Sequence, residues 1–106
     1  LEVSTEDVPP GVAQPVIRFA DPSPNPARAS LTLRFALPHE APVRLAIYDV
    51  TGRKVRELTS GAQAAGEHAV AWDLRDERGQ AVGAGLYFAR LEAEGSALTR
   101  RLATVR

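Results

Sequence analysis

Between residues 25 and 95 the chain is a run of short apolar alternations, cut roughly every 8–12 residues by Gly, Asp and Pro. The cuts fall at Asn25-Pro26, Pro38 to Pro42, Thr51-Gly52, Gly61 to Gly66, Asp76 to Gly79, Gly83 to Gly85, and Gly95. Each residue type has its own reason to be there. Gly supplies positive φ, Asp and Asn hydrogen-bond their own backbone, and Pro pre-sets φ while removing a ladder donor. Punctuation at this spacing is the mark of an all-β sandwich or barrel and leaves no room for a helix longer than a turn.

The alternations give the strands directly. Leu31, Leu33, Phe35 and Leu37 share one face of the first full strand, with Thr32, Arg34 and Ala36 on the other. Val43, Leu45 and Ile47 face inward on the next, and Asp49-Val50-Thr51-Gly52 forms a tight hairpin turn into Lys54 to Leu58. Pro38 to Pro42 is expected to be a loop, and Gly61 to Gly66 a flexible connection. His68, Val70 and Trp72 then share a face, as do Tyr87, Ala89 and Leu91. A closing strand over Leu98 to Val105 follows the Glu94-Gly95-Ser96 turn. Val16 to Phe19 adds a short edge strand, for six or seven in all. Half-buried strands must cover their apolar faces with a second layer, so the predicted architecture is a seven-stranded immunoglobulin-like antiparallel β-sandwich.

The remaining organisation is simple. Residues 1–21 are acidic and Pro-rich and read as a linker with the possible short edge strand, and 22–106 as the sandwich. The start without Met suggests a fragment of something longer, and the chain stops on a strand rather than a tail. There is no Cys, hence no disulfide framework. Thirteen basic residues balance thirteen acidic ones, which argues against nucleic acid as the main partner. No run approaches the ~20 apolar residues of a membrane-spanning helix.

Chemistry-bearing residues are sparse. The two histidines, His39 and His68, lie in a Pro-flanked loop and at the start of a strand, away from any Ser-Asp pattern. We therefore expect no catalytic residues and no cofactor. Asp73, Asp76 and Glu77 could gather Ca²⁺, but Arg75 and Arg78 interleave with them, and turn capping is the expected role, with no metal. Trp72 and Tyr48 could make a sugar platform if exposed, although the phase of Trp72 with Val70 marks it as a core plug. Arg100-Arg101 puts two charges on the closing strand.

The order of motifs carries a family resemblance over about residues 22–106. It opens with Pro24-Asn25-Pro26 and the Leu33-to-Pro38 strand. Next come Val43 to Arg53 (with Tyr48, Asp49, Gly52 and Arg53), Gly66, and Val70-Ala71-Trp72-Asp73. Gly79, Gly85-Leu86-Tyr87-Phe88 and Thr99-Arg100-Arg101-Leu102 complete it. The chain resembles the C-terminal sorting domain of type IX secretion cargo, and is equally similar to the related immunoglobulin-like domain of the flagellar hook-capping protein. The first resemblance implies a non-catalytic domain ending a larger secreted protein, at the surface of a Gram-negative-type bacterium. Its partners would be the outer-membrane secretion and attachment machinery and an upstream cargo domain. Thr99, Arg100, Arg101, Leu102 and Val105 would form the signal strand, with Arg where Lys is typical. The alternatives are an assembly domain of the hook-cap type and a carbohydrate-binding module. An edge strand with unpaired N–H and C=O groups suits strand addition by a receptor.

Overall fold

The computed structural model describes residues 16–105. Seven strands follow in order: β1 (Arg18–Phe19), β2 (Leu31–Leu37), β3 (Ala41–Asp49), β4 (Lys54–Gln63), β5 (Gly66–Trp72), β6 (Gly85–Ala93) and β7 (Ser96–Thr104). They form two antiparallel sheets, one of three strands in the order β1-β2-β5 and one of four in the order β4-β3-β6-β7. No helix occurs among the described residues. This is the expected immunoglobulin-like sandwich, and the predicted linker of residues 1–21 falls largely outside the described residues.

The alternation decides which faces meet. The odd positions of β2, together with Val43, Leu45 and Ile47, are buried, and Ala89 and Leu91 of β6 and Leu102 of β7 meet them from across the four-stranded sheet. Trp72 is fully buried at the end of β5, its indole N–H donating to the Arg75 carbonyl at 2.9 Å. Its ring meets Tyr87 edge-on, with 5.9 Å between centroids, a favourable quadrupole geometry. Phe19 is buried as well, so the short β1 contributes to the core.

Two connections depart from the sequence reading. Pro42 is not in a loop, because β3 begins at Ala41. The β6 ladder starts only at Val43 opposite Ala93, so the donor that Pro42 lacks is not needed on that side. The segment 61–66 is also no flexible connection. Gly61, Ala62 and Gln63 continue β4 and pair with Val43, Pro42 and Ala41, leaving Ala64 and Ala65 to make the turn. Gly61 sits at φ +121°, and register shifts lie nearby at Leu45/Ala46 and Ile47/Tyr48. The strand thus absorbs bulges that a strict two-residue period reads as an end.

Candidate functional site

β7 is an edge strand, paired on one side with β6 from Thr104 opposite Gly85 to Ser96 opposite Ala93. Alternation then sorts its side chains. Leu102 is buried, whereas Thr99 and Arg101 stand exposed on the outer face of the sheet. The Arg100-Arg101 pair is therefore split across the strand and offers no joint two-charge address. Arg100 turns toward the three-stranded sheet, where its Nε donates to the Phe19 carbonyl at 2.8 Å. Its guanidinium lies 5.8 Å from the Phe19 ring centroid and 3.6 Å from Asp21. Arg101 makes no ion pair among the described residues. Arg100 is a clasp between sheets, and Arg101 stands exposed on the outer face.

The backbone edge of β7 is half closed. The Asn25 side chain works as a piece of strand: its Nδ2 donates to the Arg101 carbonyl at 3.2 Å, and its Oδ1 accepts from Ala103 N–H at 3.0 Å. Ala27 continues the strip, donating to the Ala103 carbonyl and accepting from Val105 N–H, both at 2.8 Å. Two peptide bonds here are cis, Ser23–Pro24 just ahead of this segment and Asn25–Pro26 within it. Residues 25–27 thus occupy the lower part of the edge. Above them, the outward N–H groups of Ala97, Thr99 and Arg101 meet no partner among the described residues. The Thr99 carbonyl is taken by Arg100 Nη1 at 3.2 Å. Of the five residues expected to form the signal, Thr99 and Arg101 face solvent, while Arg100, Leu102 and Val105 are engaged within the domain.

The other motif residues build corners. Asp49 accepts at one carboxylate oxygen from the N–H and hydroxyl of Thr51 and the N–H of Arg53. The Thr51 hydroxyl bond, aided by the two backbone donors and the Arg53 charge, holds this carboxyl below the ordinary 3.8 despite some opposing desolvation. Gly52 completes the turn at φ +85°, a region closed to most side chains. Asp73 accepts from Arg75 N–H and from Arg56 Nη1 of β4, each at 3.1 Å. Asp76 accepts from Arg78 and Gln80 N–H, and Gly79 closes the same turn on the Asp76 carbonyl. These acids cap turns as expected. Gly66 opens β5, and Gly85 opens β6 with its N–H on the Thr104 hydroxyl at 3.2 Å. Tyr87 donates its hydroxyl to the Gly83 carbonyl at 2.7 Å.

The histidines lie apart. His39 meets Glu94 at the surface, and His68 stacks on Phe35 at 5.0 Å with Nε2 beside the Ala64 carbonyl. A joint sugar platform does not form, because Trp72 is sealed in the core while Tyr48 lies on the outer face of the opposite sheet. Two residues escaped the sequence reading. Thr104 is a buried polar residue whose hydroxyl bridges Gly83 and Gly85, and its phase with Leu102 was an available signal. Ala27 is fully buried against β7, and no local pattern marks it.

The two-sheet order defines an immunoglobulin-like sandwich domain whose β7 edge is half closed. The FlgD Ig-like domain family matches residues 25–97, and the chain belongs to it. Among solved structures it is similar to dimeric latent PorU from Porphyromonas gingivalis, with TM-score 0.67 and 26% identity over 92% of this chain and 10% of that one. FlgD from Xanthomonas campestris, described in terms of hook capping in flagellar assembly, gives TM-score 0.57 and 28% identity over 83% of this chain and 64% of that one. PorZ from Porphyromonas gingivalis, described as an essential surface component of the type IX secretion system, shares the fold. It has TM-score 0.58 and 22% identity over 83% of this chain and 11% of that one. The chain thus spans about a tenth of the length of PorU and PorZ. No curated protein matches it.

Proposed function

We propose that this domain is a non-catalytic recognition module of a larger secreted protein, and that it directs type IX export and surface anchoring through the upper edge of β7. The observation that carries the reading is the half-open edge. Residues 25–27 seal one end, while outward N–H groups at Ala97, Thr99 and Arg101 remain available beside the exposed Arg101 charge. A partner strand adding here gains main-chain hydrogen bonds, with Arg101 fixing its register. Similarity to PorU, and the fold shared with PorZ, support a secretion setting at the cell surface.

A second reading, a structural assembly domain of the hook-cap type, is favoured by the family match and by the likeness to Xanthomonas FlgD. One experiment separates them. Removing Thr99 to Arg106 would take Leu102 out of the core, so the informative change is Thr99→Pro in the full-length parent. Its lost N–H points away from β6, so the fold should survive, while the edge loses a donor and gains a steric block. Loss of surface display with an intact fold is expected. Normal display of Thr99→Pro and Arg101→Glu proteins overturns the proposal.

A further inference from the structure

A second feature lies on the outer face of the four-stranded sheet, away from the β7 edge. One cross-strand row there reads Lys54, Tyr48, Phe88, Arg101: Tyr48 is opposite Lys54 on β4 and Phe88 on β6, and Phe88 is opposite Arg101 on β7. The neighbours of Tyr48, Phe88 and Arg101 in sequence, Ile47, Ala89 and Leu102, are buried, which fixes these side chains on the solvent side. The next row adds Leu86, opposite Ala103 and 40% exposed. Val50, 65% exposed, follows Asp49, whose partner is Tyr87, and so stands at the ladder end near Leu86. Val50 and Leu86 are two of only three large hydrophobic residues exposed among the described ones.

The half-buried Tyr48–Phe88 pair stabilises the sheet as a cross-strand pair, but Val50 and Leu86 are left in water beside it, and apolar surface gathered in this way marks an interaction site. Tyr, Phe and Arg are also the residues that enrich the centres of protein interfaces. The charges define the rim. Arg101 has no ion pair among the described residues, and Lys54 has one exposed pair, with Glu57 at 3.2 Å, of the kind that contributes little. With strands ~4.8 Å apart, the two cations flank the rings at a separation of about 14 Å. An α-helix with its side chains is roughly 10–12 Å across.

We propose that this row docks an amphipathic helix of a partner protein, lying along the strand direction. Its apolar stripe covers Tyr48, Val50, Leu86 and Phe88, and acidic residues on its two flanks meet Lys54 and Arg101. The aliphatic pair argues for a protein stripe over a sugar, since sugar hydroxyls need polar partners that Val50 and Leu86 cannot supply. The site is separate from the β7 edge and shares only Arg101 with it.

The test is an NMR titration of the 106-residue chain with three probes. Two are ~18-residue helical peptides with the same Leu/Phe stripe, one flanked by Glu and one by Lys, and the third is an oligogalacturonate. The Glu-flanked peptide should shift amides around Tyr48, Leu86, Phe88 and Arg101, and bind roughly tenfold tighter than its Lys-flanked counterpart. Phe88→Ser should weaken it about tenfold, and Leu86→Ser, at an exposed position, serves if Phe88→Ser fails to fold. Lys54→Gln combined with Arg101→Gln should erase the preference for acidic flanks, and Thr99→Pro should change nothing. Four results overturn the proposal: equal binding of both peptides, preference for oligogalacturonate, shifts centred on Ala97 and Thr99, or no shift at millimolar peptide.

Discussion

Replacing Asn25 by Ala tests whether a single side chain closes the lower edge of β7. Asn25 is exposed, so its contribution rests on two hydrogen bonds, to the Arg101 carbonyl at 3.2 Å and from Ala103 N–H at 3.0 Å. Each such bond nets about 0.5–1.5 kcal/mol, toward the lower value where water can replace the lost partner. The expected loss is therefore about 1–2 kcal/mol. In a domain of this size that lowers Tm by roughly 5–10 °C. Thermal unfolding followed by circular dichroism gives the magnitude, and amide exchange gives the place. Ala103 N–H should lose protection, while Leu102 N–H, directed at β6, keeps it. An unchanged Tm with Ala103 still protected would refute the edge-closing role. A Tm loss without a change at Ala103 would move the effect elsewhere.

Further outcomes follow from the same geometry. Trp72→Ala should cost about 3–5 kcal/mol, read as a lower urea midpoint, because it empties the largest fully buried site and removes one of the two donors to the Arg75 carbonyl, leaving only Arg56 Nη1. Arg100→Gln should cost about 1 kcal/mol and loosen β1, whereas Arg101→Gln should stay within ~0.5 kcal/mol of wild type by the same denaturation assay. Gly52→Ala, forced to φ +85°, should lose roughly 1–2 kcal/mol in thermal unfolding. Asp49 has a folded value below its unfolded 3.8, so its contribution is present above 3.8 and fades as pH falls through the folded value. An NMR titration should place its midpoint under 3.8, and Asp49→Asn should flatten that part of the acid profile.

The strands and their inward faces were legible because burial on one side imposes a two-residue period, and Leu31 to Leu37 and Tyr87 to Leu91 keep it without interruption. Turn chemistry was equally readable at Asp49 and Asp76, where a short carboxylate folds back on its own backbone. Strand length failed at Gly61, since bulges and positive φ let pairing continue where composition suggests a loop. The terminal site was half legible. Alternation alone separates Arg100 from Arg101, yet the sequence resemblance treats them as a pair. The closure of β7 by Asn25 spans 78 residues and leaves no local trace, so only the tertiary contact reveals it. The Lys54-to-Arg101 row is hidden for the same reason, being drawn from four separate strands.

The fastening of residues 19 to 27 onto β7 also sets how the domain bears load. Tension arriving through the chain ahead of β1 reaches β7 by way of the Phe19–Arg100 bond, then Asn25 and Ala27, while the Ala20 and Ser23 bonds to β2 share it. A pull along that strand strains these bonds side by side, so they must rupture together. A pull across it would open them one after another, like a zip. A domain held at β7 and tugged from ahead of β1 is therefore gripped hardest when the pull runs along that strand.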